Sequence, residues 1–325
     1  MKKHFKKLLL MALMAVMAVG LIACGTDKSD NESTKEEKTS VTITSLDASK
    51  NEIELEVPYN PKRIAILDLA SLDIIDELGV GDRVVGMAST SIDYLEKYSN
   101  DASIKNLGTI KEADLEAVME CEPDIIFIGG RLSKSYDALS EIAPVVYLAT
   151  DTNEGLVNSV SKNAKTIASI FGMEDKVDSL MSDFGARIDT IKKISSGKTA
   201  LVGMTTSGSF NLLGNDGRCS LIGVEAGFNN LTAAGSTSTH GNESSFETVV
   251  QQNPDYIFVM DRDSAISTAG AKTAKEIVEN ELVKTTDAYK NNHIIYLEHS
   301  NVWYTAEGGI QALDIMLTDL EKGLK

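Results

Sequence analysis

Short runs of apolar residues recur along the chain and alternate with stretches that have helical spacing. The run Arg63-Ile64-Ala65-Ile66-Leu67 has the length of a buried strand, and Leu72, Ile75 and Leu78 then fall on one helical face. The other strand-length runs are residues 83–87, 125–128, 145–148, 200–204, 256–260 and 293–297, and a closing helical pattern covers residues 309–324. This alternation predicts the α/β class, with mainly parallel sheets that carry helices on their faces.

One sequence phrase occurs twice, at an interval of 131 residues. The segment Leu115–Arg131 is LEAVMECEPDIIFIGGR, the segment Phe246–Arg262 is FETVVQQNPDYIFVMDR, and seven of the 17 positions are identical. Each copy predicts a helix, then a buried strand, then an arginine just past the strand. Ligands bind at the carboxyl edge of open parallel sheets, so we expect Arg131 and Arg262 to face a cleft between two similar lobes.

A helical pattern without proline, Met173–Ile194, lies between the two copies. Periodicity alone fits either a helix that joins the lobes or an ordinary surface helix of one lobe. The position between the repeats favours the first alternative. We therefore predict two Rossmann-like lobes, residues 41–170 and 197–325, joined by a single long helix at residues 171–196, with the ligand cleft between the lobes.

The N-terminus has the pattern of a secretory leader. Four lysines lie within Met1–Lys7, an apolar run starts at Leu8, and Leu21-Ile22-Ala23-Cys24 closes it. A membrane-spanning helix is the alternative, but the apolar run is short for one. The ending resembles a lipobox, which implies a leader at residues 1–23 and a lipid on Cys24. Residues 24–40 contain no large apolar side chain, and we expect them to form a disordered polar tether.

Charge and cysteine content narrow the class of partner. Removal of the leader, which holds four lysines and no acid, lowers the net charge from −17 to −21. Such an acidic body is unsuited to nucleic acid or to an anionic membrane surface, so we expect membrane contact through the lipid alone, on the extracytoplasmic face of the cell membrane. Cys121 and Cys219 fall in different lobes, and we expect two separate buried thiols and not a disulfide or a metal pair.

Six short segments together point to a family. They are Pro61–Leu67, Gly129-Gly130-Arg131, Gly214–Arg218, Thr239-His240-Gly241, Asp261-Arg262 and Val302-Trp303-Tyr304. In this order they resemble the class III substrate-binding lipoproteins of ABC importers, of the ferric-siderophore type that binds petrobactin, enterobactin and related catecholates. Cys219 departs from the pattern, since an aromatic or bulky residue is common there, and so does the LEHS segment that contains His299.

The resemblance implies that Arg131, Arg218 and Arg262 bind the ligand. A ferric tris-catecholate carries net negative charge, and its oxygens suit the planar, multi-donor guanidinium better than an ammonium group. For any one of these arginines a surface ion pair is the alternative. Three of them in one cleft of an acidic protein would require an anion.

The resemblance also implies that His240 and Tyr304 bind the iron when the siderophore supplies only four donors. Fe(III) favours oxygen ligands such as phenolate, and imidazole also suits iron. The alternatives are a structural polar histidine and a tyrosine in the core. We expect Trp303, beside Tyr304, to belong to the same ligand site.

Glu116 and Glu247 occupy equivalent positions in the two copies of the repeat. Both lie in the first turn of a predicted helix, where an acid suits the helix dipole. The resemblance gives them a second role, one acid per lobe for docking onto the two subunits of an ABC permease.

Three rival functions find little support in the sequence. The chain has none of the motifs G-x-S-x-G, H-E-x-x-H or Walker A, and its four histidines form no pair at helical spacing, so we expect no enzyme. A free-metal importer would need several protein ligands. A haem- or cobalamin-binding protein of the same fold is the closest alternative.

We expect a monomer without a cofactor that captures a ferric siderophore and delivers it to a permease dimer with its ATPase.

Overall fold

A computed structural model of the protein describes residues 38–233 and 237–325. The predicted leader, Cys24 and nearly all of the predicted tether lie outside these residues. None of the helices within residues 38–233 and 237–325 combines the length and the hydropathy that a membrane span requires.

The N-terminal lobe is built on a five-stranded parallel sheet. The strands of the lobe are β1 (Ser40–Leu46), β2 (Glu52–Pro58), β3 (Ile64–Ile66), β4 (Val84–Met87), β5 (Lys105–Asn106), β6 (Gly108–Thr109), β7 (Glu112–Ala113), β8 (Ile125–Ile128) and β9 (Val145–Tyr147). The sheet order is β5–β4–β3–β8–β9, with every pair parallel. Two antiparallel hairpins, β1–β2 and β6–β7, stand apart from it and were not predicted.

Short helices connect these strands. They are α1 (Leu69–Glu77), α2 (Glu96–Ser99), α3 (Leu115–Glu120) and α4 (Tyr136–Ser140), with 3-10 turns at Gly81–Arg83, Asp93–Leu95 and Gly130–Ser135. The four predicted strands of this lobe all form, because short β-branched runs bury well in a parallel sheet.

Three helices lead from the first sheet to the second: α5 (Leu156–Phe171), α6 (Glu174–Leu180) and α7 (Phe184–Ser195). The single helix predicted for residues 171–196 is therefore wrong, since residues 181–183 interrupt it. The Ser182 hydroxyl donates to the Ser179 carbonyl (2.9 Å), and a serine that bonds nearby backbone competes with regular helix.

The C-terminal lobe has a mixed sheet. Its elements are β10 (Thr199–Thr206), β11 (Ser209–Leu212), α8 (Ser220–Gly223), β12 (Asn229–Asn230), β13 (Asn242–Glu243), α9 (Phe246–Gln252), β14 (Tyr256–Asp261), α10 (Arg262–Ala265), α11 (Ala274–Val278), α12 (Asp287–Lys290), β15 (Ile294–Tyr296), α13 (Ser300–Thr305) and α14 (Ile310–Gly323), with a 3-10 turn at Val283–Thr285. The order is β13–β11–β10–β14–β15, with β12 also beside β10. The strands β10, β14 and β15 are parallel, and β11 and β13 add an antiparallel edge.

The two lobes share one apolar core. A single cluster of buried side chains includes Ile66 of the first sheet, Ile167 of α5, Val202 of the second sheet and Met316 of α14. Cys121 and Cys219 are both buried and free, as predicted. A continuous core makes a large hinge between the lobes costly, because opening it would expose apolar surface.

A buried carboxylate joins the lobes at a second place. Asp73 of α1 is fully buried, and its two oxygens accept the backbone N–H groups of Gln311 (3.0 Å) and Ala312 (2.9 Å). These N–H groups lie in the first turn of α14. The N-cap residue of α14 is Gly309, which has no side chain that could accept a hydrogen bond from them. A Cβ at Gly309 would overlap the Asp73 carboxylate. The first lobe thus caps a helix of the second.

Candidate functional site

The repeated phrase folds alike in both lobes and ends at the carboxyl edges of the sheets. Arg131 lies in the 3-10 turn that follows β8, and Arg262 is the first residue of α10, directly after β14. Arg218 precedes α8, and the next residue, Cys219, has a left-handed backbone (φ +62°). The Cys219 side chain is buried in the core and does not line the cleft.

The three predicted arginines converge on one side chain. The guanidinium carbons of Arg218, Arg131 and Arg262 lie 4.5, 5.3 and 5.8 Å from the centre of the Tyr304 ring. These distances are within the range of cation–π attraction. One arginine comes from the first lobe and two from the second, so the cluster closes across the seam between them.

The arginines differ in how their charge is compensated. Arg262 pairs with the buried Asp263 (Nη1 to Oδ1, 3.0 Å). Arg131 instead donates to the backbone carbonyl of Tyr304 (2.9 Å), and Arg218 donates to the carbonyl of Thr239 (2.8 Å). Neither Arg131 nor Arg218 has a carboxylate partner within residues 38–233 and 237–325. Two partly buried cations without an ion pair favour binding of an anion.

Tyr304 has the electrostatic surroundings of a metal-binding phenol. Burial acts to raise the pKa of its hydroxyl, but a hydrogen bond from Arg262 and the charges of Arg218, Arg262 and Arg131 outweigh burial and lower that pKa. A lower pKa favours the phenolate, which is the form that binds Fe(III). The side chain is only 3% exposed, so a bound metal would reach it only if the guanidinium groups above it moved aside.

A cavity of about 670 Å³ opens beside this cluster. Residues of both lobes line it, including Arg131 and Leu148 from the first and Arg218, Thr239 and Tyr304 from the second. Its volume lies within the range of small-molecule sites.

His240 lies close to the arginines but on the exposed side of the site. Burial lowers the pKa of its imidazole, and the charges of Arg262, Arg218, Lys111 and Arg131 lower it further. Neutral imidazole is the form that binds metals. The ring does not line the cavity described above, so its role as an iron ligand stays a prediction.

Trp303 does not belong to the site as we expected. Its side chain is fully buried in the core, and its indole N–H donates to Asp319 (3.0 Å). The segment is a helix, α13, in which adjacent residues face different directions. Tyr304 therefore faces the arginines while Trp303 faces the interior.

His299 is part of a hydrogen-bonded cluster. Its ring nitrogen bonds to Asp319 (2.7 Å), and its backbone N–H donates to the same carboxylate (3.0 Å). Ligand atoms of Glu298, His299 and Asp319 lie within 4.8 Å of one another, the spacing of a metal site. Both oxygens of Asp319 already accept hydrogen bonds, from His299 and from the Trp303 indole. We therefore interpret this cluster as a structural hydrogen-bond network and not as a metal site.

Glu116 and Glu247 occupy the same place in the two lobes. Each is exposed and lies in the first turn of its helix, and the side chains of Asp114 and Ser245 cap these helices. Both acids are therefore accessible to a partner.

Sequence reasoning missed the carboxylates of the cavity. Asp68 and Glu307 both line it and are half-buried. Asp68 has a local signal, because it caps α1 through Ser71 (2.9 Å), but Glu307 has none that a single sequence reveals.

Comparison with known proteins now decides the family. A family model described as a periplasmic binding protein matches residues 64–300. The chain belongs to this family. The periplasmic binding protein family and the relatives below are solute-binding proteins and not enzymes, and the two-lobe α/β fold and the resemblance found in the sequence are confirmed.

Several members of the periplasmic binding protein family are similar over nearly the whole chain. The petrobactin-binding protein YclQ of Bacillus subtilis is 36% identical over 98% of this chain and 99% of its own length. Its crystal structure superposes with a TM-score of 0.81, over 88% of this chain and 99% of that one. The catecholate-siderophore binding protein VctP of Vibrio cholerae is 30% identical, with a TM-score of 0.78 over 87% of this chain and 100% of that one.

Two more distant relatives extend the picture. The ferric-anguibactin-binding protein FatB of Vibrio anguillarum is 26% identical over 82% of this chain and 84% of its own length. A probable siderophore-binding lipoprotein of Bacillus subtilis, YfiY, is 28% identical over 99% of this chain and 98% of its own.

Proposed function

We propose that this protein captures a ferric siderophore of the catecholate type and hands it to an ABC permease for iron uptake. The convergence of Arg131, Arg218 and Arg262 on Tyr304, with two of the three lacking a carboxylate partner among the described residues, is the observation that carries the proposal. The relatives YclQ, VctP and FatB are named for binding petrobactin, a catecholate siderophore and ferric anguibactin, and these names support the same ligand class.

The binding mechanism uses position and charge and no reaction of the ligand. The anionic chelate enters the cavity, and the planar guanidinium groups donate to its oxygens. Each charge-assisted bond contributes about 1.5–3 kcal/mol where water is excluded. Because the lobes share a core, we expect them to close only slightly on the ligand.

The iron itself is cargo, and His240 and Tyr304 are the side chains we expect to bind it when the chelate leaves coordination sites open. The lowered pKa values of both side chains support this role. Tyr304→Phe should weaken a tetradentate ferric chelate far more than a hexadentate one. Equal losses for the two chelates would mean that the hydroxyl only packs.

Titration of the purified protein tests the ligand class. Trp303 is the only tryptophan and lies next to Tyr304, so a bound ferric chelate should quench its fluorescence. We expect saturable binding of ferric catecholates and weaker binding of the iron-free forms. Saturation by haem or cobalamin alone, with no response to ferric catecholates, would contradict the proposal.

Delivery would use the two exposed acids and the lipid anchor. Glu116 and Glu247 would each pair with a basic residue on one permease subunit, and Cys24 would hold the protein at the outer face of the membrane. Charge reversal at either glutamate should reduce uptake of the radiolabelled ferric chelate by cells while the chelate affinity of the purified protein stays unchanged. Unimpaired uptake by the double variant would remove the docking role.

A further inference from the structure

The two longest helices within residues 38–233 and 237–325 both begin at a glycine. Helix α5 has Gly155 at its N-cap and α14 has Gly309, so neither helix has a capping side chain of its own. The first N–H groups of a helix have no partner within the helix, and a side chain at the N-cap usually accepts from one of them. In α5 and α14 a carboxylate from the opposite lobe takes this part.

The two carboxylates cross the seam in opposite directions. Asp73, on α1 of the first lobe, accepts the N–H groups of Gln311 and Ala312 in α14 of the second. Helix α5 packs against α1 and β1 of the first lobe. Its Val157 N–H donates to Glu225 (3.1 Å), which follows α8 in the second lobe. Each lobe therefore caps a helix of the other.

The glycine at each N-cap leaves room for the distant carboxylate. Gly309 has an extended backbone (φ −88°, ψ 162°), which any residue can adopt, but a Cβ there would overlap the Asp73 carboxylate. A Cβ at Gly155 would lie 3.0 Å from Oε1 of Glu225, and the φ of +81° also favours glycine at this position. The contact with Asp73, and not the backbone conformation, therefore accounts for glycine at position 309.

Both contacts adjoin the ligand cavity. Gly308, which precedes the N-cap of α14, lines the cavity, and so does Leu156, the first residue of α5. The lobes are close together here, because a Cβ at Gly308 would lie 3.2 Å from the side chains of Ala70 and Thr150 in the first lobe. The placement of one lobe on the other at these contacts therefore affects the width of the cavity.

We propose that Asp73 and Glu225 are positioning residues that fix the spacing and orientation of the two lobes. Burial of the shared apolar core favours contact between the lobes but has no preferred direction. A hydrogen bond to a backbone N–H has a narrow range of distance and angle, so it selects one placement. Arg131 donates to the Tyr304 carbonyl of the opposite lobe, and its position relative to the other arginines depends on that placement. The consequence for ligand affinity rests on the proposed function.

Spin labels on the two lobes test the assignment in the ligand-free protein. Ala138→Cys on α4 and Lys275→Cys on α11 place one label at an exposed helix position in each lobe, and the native Cys121 and Cys219 are buried. Pulsed electron spin resonance then measures the distance between the labels. We expect one narrow distance distribution when the rest of the chain is wild type.

Removal of either carboxylate should loosen the lobes. Asp73→Gly should broaden the distance distribution, and Glu225→Ala should broaden it less, because Asp73 accepts two N–H groups of α14 and Glu225 accepts one of α5. Asp73→Gly should also lower the urea midpoint of unfolding, since α14 loses its cap.

A second substitution separates positioning from helix stability. Asp73→Gly removes the Cβ and carboxylate that a side chain at position 309 would meet, so Gly309→Ser can be added, and its hydroxyl can cap α14 from the N-cap position of that helix. The double variant should regain part of the lost urea midpoint. Its distance distribution should stay broad, because the new cap lies within the second lobe and does not cross the seam.

Affinity for a ferric catecholate should follow the distances and not the urea midpoint. If a tenth of the Asp73→Gly molecules keep the wild-type spacing, affinity falls about tenfold, and it should stay equally low in the double variant with Gly309→Ser. Ser245→Ala is the matched control, because it removes a cap of α9 whose bond to the Thr248 N–H lies within the second lobe. This variant should keep the wild-type distances and affinity.

Two outcomes would overturn the inference. A wild-type distance distribution in Asp73→Gly or in the double variant would mean that Asp73 acts only by capping α14. Equal broadening in Ser245→Ala would mean that the loss of any cap loosens the lobes. Failure of the wild-type protein to bind a ferric catecholate would instead contradict the proposed function, while the distances in the ligand-free protein would still decide the role of Asp73 and Glu225.

Discussion

The two copies of the repeated segment are followed by different residues, Leu132 in the first lobe and Asp263 in the second. Helices α3 and α9, strands β8 and β14, and the arginines themselves have the same arrangement in both lobes. After Arg131 comes Leu132, which is buried in the core of its lobe, whereas after Arg262 comes Asp263, which pairs with it. The repeat therefore fixes where each guanidinium lies, and one neighbouring residue decides how much of its charge is available to a ligand.

The repeat also fixes a structural carboxylate in each lobe. Pro-Asp ends both helices, and Asp124 accepts the backbone N–H groups of Lys62 (2.7 Å) and Arg63 (2.9 Å) before β3. Asp255 accepts the backbone N–H and the hydroxyl of Thr199 (both 2.8 Å) at the start of β10. Here the two lobes are equivalent, since each Asp ties the end of a helix to the start of the neighbouring strand.

The largest effect should come from the uncompensated arginine. Arg131→Met keeps much of the side-chain volume and removes the charge and its free donors, so affinity for a ferric catecholate should fall by about a hundredfold, or about 3 kcal/mol. Arg131→Lys keeps the charge without the planar fork and should lose less. Fluorescence titration at fixed salt measures both. Wild-type affinity in Arg131→Met would mean that the two lobes do not bind the ligand jointly.

Much of this scaffold follows from local sequence. The seven strands predicted above are short runs rich in β-branched residues, which bury on both faces of a parallel sheet, and the structure places them within about two residues of the predicted bounds. The two hairpins and the antiparallel strands β11 and β13 were not predicted. The caps at Asp114 and Ser245 are also local signals. The arginine positions follow from the repeat together with the rule that ligands bind at the carboxyl edge of the strands.

The rest depends on contacts between distant parts of the chain. Nothing near Asp73 indicates that it caps a helix more than two hundred residues away. The orientation of Trp303 depends on α13 being a helix, and the sequence predicts only the strand before it, at residues 293–297. The helix breaks at residues 181–183, where the Ser182 hydroxyl bonds to the nearby Ser179 carbonyl. Such a local side-chain bond competes closely with a continuous helix, and the hydrophobic pattern does not reveal which of the two forms.

The next largest effect should be on the free energy of unfolding, through the contact between Asp73 of the first lobe and α14 of the second. Asp73→Ala leaves two buried amides of α14 without an acceptor, and we expect the free energy of unfolding to fall by about 3 kcal/mol. Asp76→Ala on the same helix removes bonds to Lys97 and Tyr98, within the first lobe alone, and should cost about 1 kcal/mol. Urea denaturation followed by circular dichroism compares them. Equal losses would mean that the cap across the seam adds nothing beyond a local bond.

The paired aspartates should show a smaller and nearly equal effect. Asp124→Ala and Asp255→Ala each remove an acceptor of two donors, and each should cost about 1 kcal/mol in unfolding free energy.

The backbone N–H of Thr199 lowers the pKa of Asp255 below its ordinary value of 3.8. As pH falls, the unfolded chain therefore takes up this proton first, so the stabilisation is present above pH 3.8 and lost as pH drops through the lowered pKa. The gap between wild type and Asp255→Ala should accordingly narrow below pH 4, and a gap independent of pH would contradict this account.

The smallest expected effect comes from making the second lobe more like the first. Asp263→Asn removes the carboxylate that pairs with Arg262 while its carbonyl can still accept the backbone N–H of Ser207. Arg262 would then have an uncompensated charge, like Arg131, and affinity for an anionic ferric catecholate should rise by about threefold. Asp175→Asn, at an exposed acid on α6, makes the same change in net charge far from the site and should leave the affinity unchanged. A fall in affinity for Asp263→Asn would show that the carboxylate holds Arg262 in its binding position and that the pairing, and not the charge alone, distinguishes the two lobes.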